Sequence, residues 1–213
     1  MLWADSIARV VRSLVVLGCV LCVCVPAQNS AAGKYDDQDA YEIYSLLLSG
    51  DQAYRFANGT LVIQQETVTS EKLDDSCLTP QAAHEFKDAI EDYKRHKEPM
   101  LLQRKFNIDK PYELVNTETI GTLIKDCNWD DFYKRYPDSG GIFMMSTVGF
   151  NRQRTLAIVY MWRNVEHACN NQCSAGSCPV PADAAQNFHF LEKTNGKWKL
   201  MPAYIAIHCF VVS

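Results

Sequence analysis

The spacing of the hydrophobic residues changes from a helical to a strand-like period at Pro137. Before this residue, apolar side chains recur every three to four positions in several segments, as on the buried face of an amphipathic helix. The clearest segment begins at Thr79-Pro80, because a capping hydroxyl followed by proline at the first helical position is typical of a helix start. The pattern predicts helices over residues 40–48, 80–96, 117–125 and 129–136.

Runs of β-branched and alternating apolar residues predict strands, most of them after Pro137. Asn195-Gly196 lies between two such runs and is typical of a two-residue hairpin, and residues 151–153 form a second candidate turn. We expect strands over residues 61–67, 106–115, 141–150, 155–162, 187–192, 197–201 and 204–212.

This order of elements favours an α+β domain, in which N-terminal helices pack on one face of a curved antiparallel sheet formed mainly by the C-terminal half. The expected outline is similar to the cystatin-like and NTF2-like folds. A likeness at the level of the fold implies no function.

Residues 1–27 have the pattern of a cleavable signal peptide. Arg9 and Arg12 precede an apolar run over residues 13–25, and Val25-Pro26-Ala27 provides the small residues of a cleavage site. The run is too short to cross a hydrocarbon core of about 30 Å, so a membrane anchor is the weaker interpretation. Cys19 lies inside the run rather than at its end, which argues against a lipid anchor there.

We therefore expect a secreted or periplasmic protein, with a flexible leader over residues 28–40 and a single α+β domain over residues 41–213. Small residues at 30–32 leave a second cleavage site open. The formal net charge of −4 contains no Lys/Arg block. Nucleic acid is therefore excluded from the expected partners, and so is a membrane after signal cleavage.

Cleavage after residue 27 removes three of the nine cysteines and leaves an even number, which favours disulfides in an exported chain. The disulfide candidates are Cys77, Cys127, Cys169, Cys173, Cys178 and Cys209, and the sequence leaves their connectivity open. Residues 166–178 combine three cysteines with His167, which is a zinc-type ligand set. Their spacing matches no C-x2-C motif, so we expect a Cys169–Cys173 disulfide, with metal binding, redox chemistry or free thiols as alternatives. We expect no cofactor and no metal.

Residues 129–200 carry a series of short motifs, from Trp129 through Tyr136-Pro137 and the S-T-V-G-F-N segment at 146–151 to L-E-K-T-N-G-K-W-K at 191–199. The series resembles a family of exported, functionally uncharacterised bacterial proteins with the pattern W…F…YP-x-S-x-G…S-x-VGFN…A-x-VY…C-x-x-x-C…LLEK-x-NGxWK. The resemblance implies export and a helix-plus-sheet domain, and it implies no activity. Residues 174–184 depart from the pattern as an insertion that carries Cys178.

The sequence does not place any two chemically active side chains within reach of each other. Residues 146–151 are explained structurally, as a strand with a glycine bulge followed by a turn that Asn151 starts. A helix across a curved sheet can leave an apolar pocket, and the pocket candidates are His189, Tyr160, Trp162, Trp198 and His208.

We expect a non-enzymatic domain that binds an unknown small ligand or a protein. The alternative is a small hydrolase or isomerase with a pocket between helix and sheet. In that case His189, His208, Glu192 or Glu66 would act beside a polar partner. The sequence leaves the ligand, the substrate and the oligomeric state open.

Overall fold

The computed structural model describes residues 32–50, 59–69, 78–165 and 186–201. The helices are α1 (Gln38–Ser49), α2 (Pro80–Glu85), α3 (Lys87–Arg95), α4 (Thr117–Leu123) and α5 (Asp130–Arg135), with a 3-10 turn at Lys125–Cys127. The strands are β1 (Leu61–Gln64), β2 (Tyr112–Val115), β3 (Ile142–Met145), β4 (Gly149–Phe150), β5 (Leu156–Asn164), β6 (Gln186–Thr194) and β7 (Lys197–Leu200). The expected signal peptide, the cysteine cluster at 166–178 and the strand expected at 204–212 lie outside the described residues.

The described strands form one mixed sheet in the order β2-β1-β3-β5-β6-β7, with β4 paired to β5. Strand β1 runs parallel to β2 and β3, while the pairs from β3 through β7 are antiparallel. The α+β class is therefore confirmed, and most of the sheet comes from the C-terminal half. The parallel pairs of β1 add a feature that the sequence did not predict.

Helices pack against both faces of this sheet, where we expected them on one face. Helix α1 covers one face of the sheet, where it packs over Ile63 and Val159. On the other face, α2 and α3 cover Ile158 and Phe190, and α5 covers Val62. All four residues of β1 are buried, because both sides of the strand meet a helical layer.

The helix expected over residues 80–96 is divided at Phe86, whose φ of −96° and ψ of 15° interrupt the helical path between α2 and α3. Thr79 caps α2 as expected, because its side chain accepts a hydrogen bond from Ala82 N. The strand expected over residues 106–115 is limited to β2.

Residues 33–40 belong to the folded domain, although we expected them in the flexible leader. Tyr35 N donates to Leu101 O at 2.8 Å, and Leu101 N donates to Gly33 O at 2.8 Å. The Tyr35 ring is buried, and its hydroxyl accepts a hydrogen bond from Val148 N at 3.1 Å. The buried ring and these hydrogen bonds together attach the segment to the core.

A β-bulge separates β3 from β4. Met145 pairs with Met161 and Gly149 pairs with Ile158, so the bulged strand uses one residue more than β5 over this interval. Ser146 lies at the bulge, where its hydroxyl accepts a hydrogen bond from Tyr160 N at 3.0 Å. The same residue is tied to α1, because the Tyr44 hydroxyl donates to Ser146 O at 2.6 Å.

Directly after the bulge, Gly149 lets helix α3 lie against the backbone of β4. A Cβ atom at position 149 would overlap the Ala89 carbonyl oxygen and lie 2.5 Å from Tyr93 N. No side chain larger than hydrogen fits between these backbones without a shift of the helix. The contact fixes where α3 crosses the sheet, and therefore where its exposed face lies.

Candidate functional site

The turn between β4 and β5 is shaped by Asn151 and by an unusual arginine conformation. The Asn151 side-chain oxygen accepts hydrogen bonds from Thr155 N at 2.8 Å and from Leu156 N at 3.0 Å, so this residue starts the turn as the sequence predicted. Arg154, at the end of the turn, has a φ of 54°. A side chain with a Cβ atom is disfavoured in this left-handed region by about 1–2 kcal/mol, and the interactions of the Arg154 side chain contribute to offsetting this cost.

Those interactions form an ion-pair cluster, defined here as Asp37, Asp39, Arg154, Lys193 and Trp198. Arg154 donates from one terminal nitrogen to both oxygens of Asp37, at 2.6 and 2.9 Å, and from Nε to Asp39 at 2.9 Å. Lys193 and the Trp198 indole nitrogen donate to the other oxygen of Asp39. The cluster therefore joins the start of α1 to the β4–β5 turn and to the β6–β7 hairpin.

The protonation states in the cluster follow from its burial and its hydrogen bonds. Burial would raise the pKa of Asp39, but the hydrogen bonds from Lys193, Arg154 and Trp198 outweigh it, and the pKa lies below its usual value. Burial would lower the pKa of Arg154, and its bonds to Asp37 and Asp39 raise the pKa instead. Only 18% of the Asp39 side chain is exposed, so water screens these interactions less than at an open surface.

Arg154 also stacks on an aromatic ring. Its guanidinium carbon lies 3.9 Å from the centre of the Phe150 ring, which in turn lies 5.7 Å from the Trp198 ring. The arginine is thus held on one side by carboxylates and on the other by an aromatic face.

A polar cleft of about 280 Å³ lies between α3 and the β4–β5 turn. Its lining residues are Asp88, Glu91, Asp92, Arg95, Phe150, Asn151, Arg152 and Arg154. They include three carboxylates and three guanidinium groups, so both signs of charge are present in one depression. The cleft is polar, where we expected an apolar pocket between a helix and the sheet.

Asp92 connects the two walls of this cleft. One of its carboxylate oxygens accepts a hydrogen bond from Phe150 N at 2.8 Å, and the other accepts one from Arg95 at 2.7 Å. In contrast, Asp88, Glu91 and Arg152 are exposed and make no side-chain hydrogen bond or ion pair within the described part of the chain. These three charges are free to meet a ligand.

The sheet separates the pocket residues that we expected together. Trp198 packs on the face that α1 covers. His189 is the cross-strand partner of Val159, so its side chain lies on that same face. Tyr160 and Trp162 lie on the other face, beneath α2 and α3. The four therefore do not line one pocket, and His208 lies outside the described residues.

The two glutamates considered for acid–base chemistry make local structural contacts. Glu66 accepts hydrogen bonds from the backbone nitrogen and the hydroxyl of Thr117, both at 2.9 Å, at the first turn of α4. Glu192 accepts a hydrogen bond from the Thr194 hydroxyl at 3.1 Å.

No metal site is found among the described residues, since no three His, Cys, Asp or Glu side chains come together there. Of the six cysteines expected after signal cleavage, the structure describes only the backbone of Cys127, and the other five lie outside the described ranges. The predicted disulfides and the metal alternative at residues 166–178 therefore remain predictions.

The chain matches no protein-family model, no curated protein and no solved structure. In the part of the chain that the structure describes, no helix is long and apolar enough to span a membrane.

Burial strongly shifts the pKa of His189. The residue keeps some exposure as a whole, but its Nε2 atom is buried and has no hydrogen-bond partner within the described ranges. Burial lowers the pKa of His189 from 6.5 to about 4, because the charged imidazolium would lose its hydration.

This shift predicts a pH dependence of stability. Above pH 6.5 the imidazole is neutral in both states, and as the pH falls the unfolded chain binds a proton before the folded protein does. The free energy of unfolding should therefore decrease from pH 6.5 to about pH 4, with a contribution from His189 of about 3 kcal/mol. Urea unfolding across this range should show a shallower decrease in His189→Gln than in the unchanged protein. His84→Gln, at an exposed histidine, is the control and should keep the full decrease; equal slopes in all three proteins would contradict the burial of His189.

Proposed function

We propose that this protein is exported, cleaved after its signal peptide and disulfide-bonded, and that its folded domain binds a small zwitterionic ligand without catalysing a reaction. The ligand class comprises free amino acids and short peptides, which carry an anionic and a cationic group close together. The signal-like residues 1–27, the even number of cysteines after residue 27 and the resemblance to exported bacterial proteins support the first part.

The polar cleft carries the second part of the proposal. Arg152 offers a guanidinium fork that suits a carboxylate, and Asp88 and Glu91 offer carboxylates that suit an ammonium group. A volume of about 280 Å³ lies just below the range of about 300–1,000 Å³ that drug-sized ligands occupy. The cleft therefore suits a compact ligand rather than a large cofactor.

The same residues favour binding over the alternative of a hydrolase or isomerase. Carboxylates, guanidinium groups, one amide and one phenyl ring line the cleft. The described lining contains no serine, cysteine, lysine or histidine, so carboxylates are the nucleophiles that it offers. His189, whose pKa is lowered by burial, lies on the α1 face of the sheet, whereas the cleft lies beside α3. Among the described lining residues, the groups that could act as nucleophile or base are carboxylates, of which Asp92 is already bound by Phe150 N and Arg95.

Binding is tested by titrating the isotope-labelled protein with millimolar L-glutamate and L-lysine while backbone amide signals are recorded. We expect shifts confined to α3 and the β4–β5 turn. Arg152→Ala should weaken glutamate binding about tenfold, as the loss of one charge-assisted hydrogen bond of about 1.5 kcal/mol implies. Lys125→Ala, which removes one positive charge outside the cleft, should bind as the unchanged protein does. Amides of the cleft that respond to neither amino acid, or an Arg152→Ala variant with full affinity, would refute binding in this cleft.

Export and cysteine pairing are tested on protein that a bacterial host expresses from the full chain. We expect the mature protein in the periplasm or the medium, with Gln28 as its N-terminal residue. Alkylation without reduction should label none of the six remaining cysteines, and peptide mapping should link Cys169 to Cys173. A retained Met1, a lipid on Cys19 or reactive thiols at 169 and 173 would contradict this part of the proposal.

A further inference from the structure

We propose that Asp37 and Asp39 are positioning residues that set the charge of the polar cleft by holding Arg154. The inference rests on the proposed function, because it concerns how the same cleft selects its ligand. It goes beyond that function in connecting the cleft to the N-terminal end of the folded domain, which contributes no residue to the cleft lining.

Arg154 is shared between the cleft and the ion-pair cluster. It is one of the residues that line the cleft, yet three of its side-chain hydrogen bonds go to Asp37 and Asp39, which are not among the lining residues. A φ of 54° is less favourable for arginine than for glycine or asparagine, and the hydrogen bonds of the Arg154 side chain contribute to offsetting this cost.

The two aspartates are themselves fixed by α1 and by the β6–β7 hairpin. Asp37 caps α1, since its carboxylate accepts a hydrogen bond from Ala40 N at 3.2 Å. Asp39 lies in the first turn of α1 and also accepts from Lys193 and from the Trp198 indole. A shift of the start of α1 relative to the sheet would therefore break the contacts that orient the Arg154 guanidinium.

The charge that the cleft offers to a ligand depends on these contacts. While Asp37 and Asp39 hold Arg154, its positive charge is compensated, and Arg152 is the unpaired guanidinium among the cleft residues. Loss of either aspartate charge removes one of the two ion pairs that hold Arg154 and leaves part of its positive charge available to an anion in the cleft. The cleft should then prefer an acidic ligand over a basic one more strongly than before.

The experiment compares Asp39→Asn and Asp37→Asn with Asp36→Asn. All three variants lose one negative charge within four residues of chain, but Asp36 pairs with Lys105 and not with Arg154. Asp37→Asn keeps an oxygen that can cap α1, so a folding defect in one variant leaves the other as a test. Two quantities are measured: the rate at which the Arg154 Nε proton exchanges with water, and the ratio of L-glutamate to L-lysine affinity.

We expect Asp39→Asn and Asp37→Asn to speed exchange of the Arg154 Nε proton several-fold and to raise the glutamate-to-lysine affinity ratio several-fold. Asp36→Asn should change neither quantity. Faster exchange without a change in the affinity ratio would overturn the inference while leaving binding in the cleft intact. Equal effects of all three variants would overturn it as well, because a general loss of negative charge would then explain them.

The two proposals fail in different ways. If the unchanged protein binds neither amino acid, the proposed function fails. In that case, glutamate binding that appears only in Asp39→Asn or Asp37→Asn supports the positioning role. If no variant binds either, the inference fails with the function.

Discussion

The close contact of helix α3 with strand β4 at Gly149 is the constraint on which the site depends. The cleft has two walls, one made by the exposed face of α3 and the other by the β4–β5 turn. Both walls are anchored at this contact, because Ala89 and Tyr93 meet Gly149 and the next residue, Phe150, donates its backbone N–H to Asp92. A backbone-to-backbone approach of this kind leaves little freedom in the distance between the walls.

The interruption of the strand before Gly149 allows this arrangement. The bulge at Ser146 shifts the pairing between the bulged strand and β5 by one residue, and the Ser146 hydroxyl takes the place of a backbone acceptor for Tyr160 N. From the opposite face, the hydroxyls of Tyr44 and Tyr35 bind Ser146 O and Val148 N. Residues 146–149 therefore contact α3 on one side of the sheet and the N-terminal segment with α1 on the other.

Much of the fold could be predicted from local patterns. The capping signal at Thr79, the turn at Asn151 and the hairpin at Asn195-Gly196 all depend on neighbouring residues, and the structure contains each of them. The parallel pairing of β1 could not be predicted, because a strand buried on both faces has no alternation from which to infer its neighbours. The same limit explains why helices on both faces of the sheet were not expected.

The candidate site was missed from the sequence for a related reason. Arg154 and its carboxylate partners are separated by 117 and 115 residues, and Lys193 is 154 residues from Asp39. Charged residues near a helix start or in a turn are usually solvated, so nothing local distinguishes these from others. The one available signal was an arginine at the end of an Asn-led turn, where glycine is usual. The sequence instead suggested a pocket lined by histidines and aromatic residues. The sheet separates these residues, with His189 and Trp198 on one face and Tyr160 and Trp162 on the other.

The close contact between α3 and Gly149 is tested most directly by measuring the free energy of unfolding in urea for Gly149→Ala and Gly121→Ala. A Cβ atom at position 121, in α4, has no atom within 4 Å, so this variant should be stabilised by up to about 1 kcal/mol through its higher helix propensity. Gly149→Ala should be destabilised by about 3 kcal/mol or more, because its methyl group meets backbone atoms that cannot move independently. A Gly149→Ala protein as stable as the unchanged one would contradict the close contact on which both walls of the cleft depend.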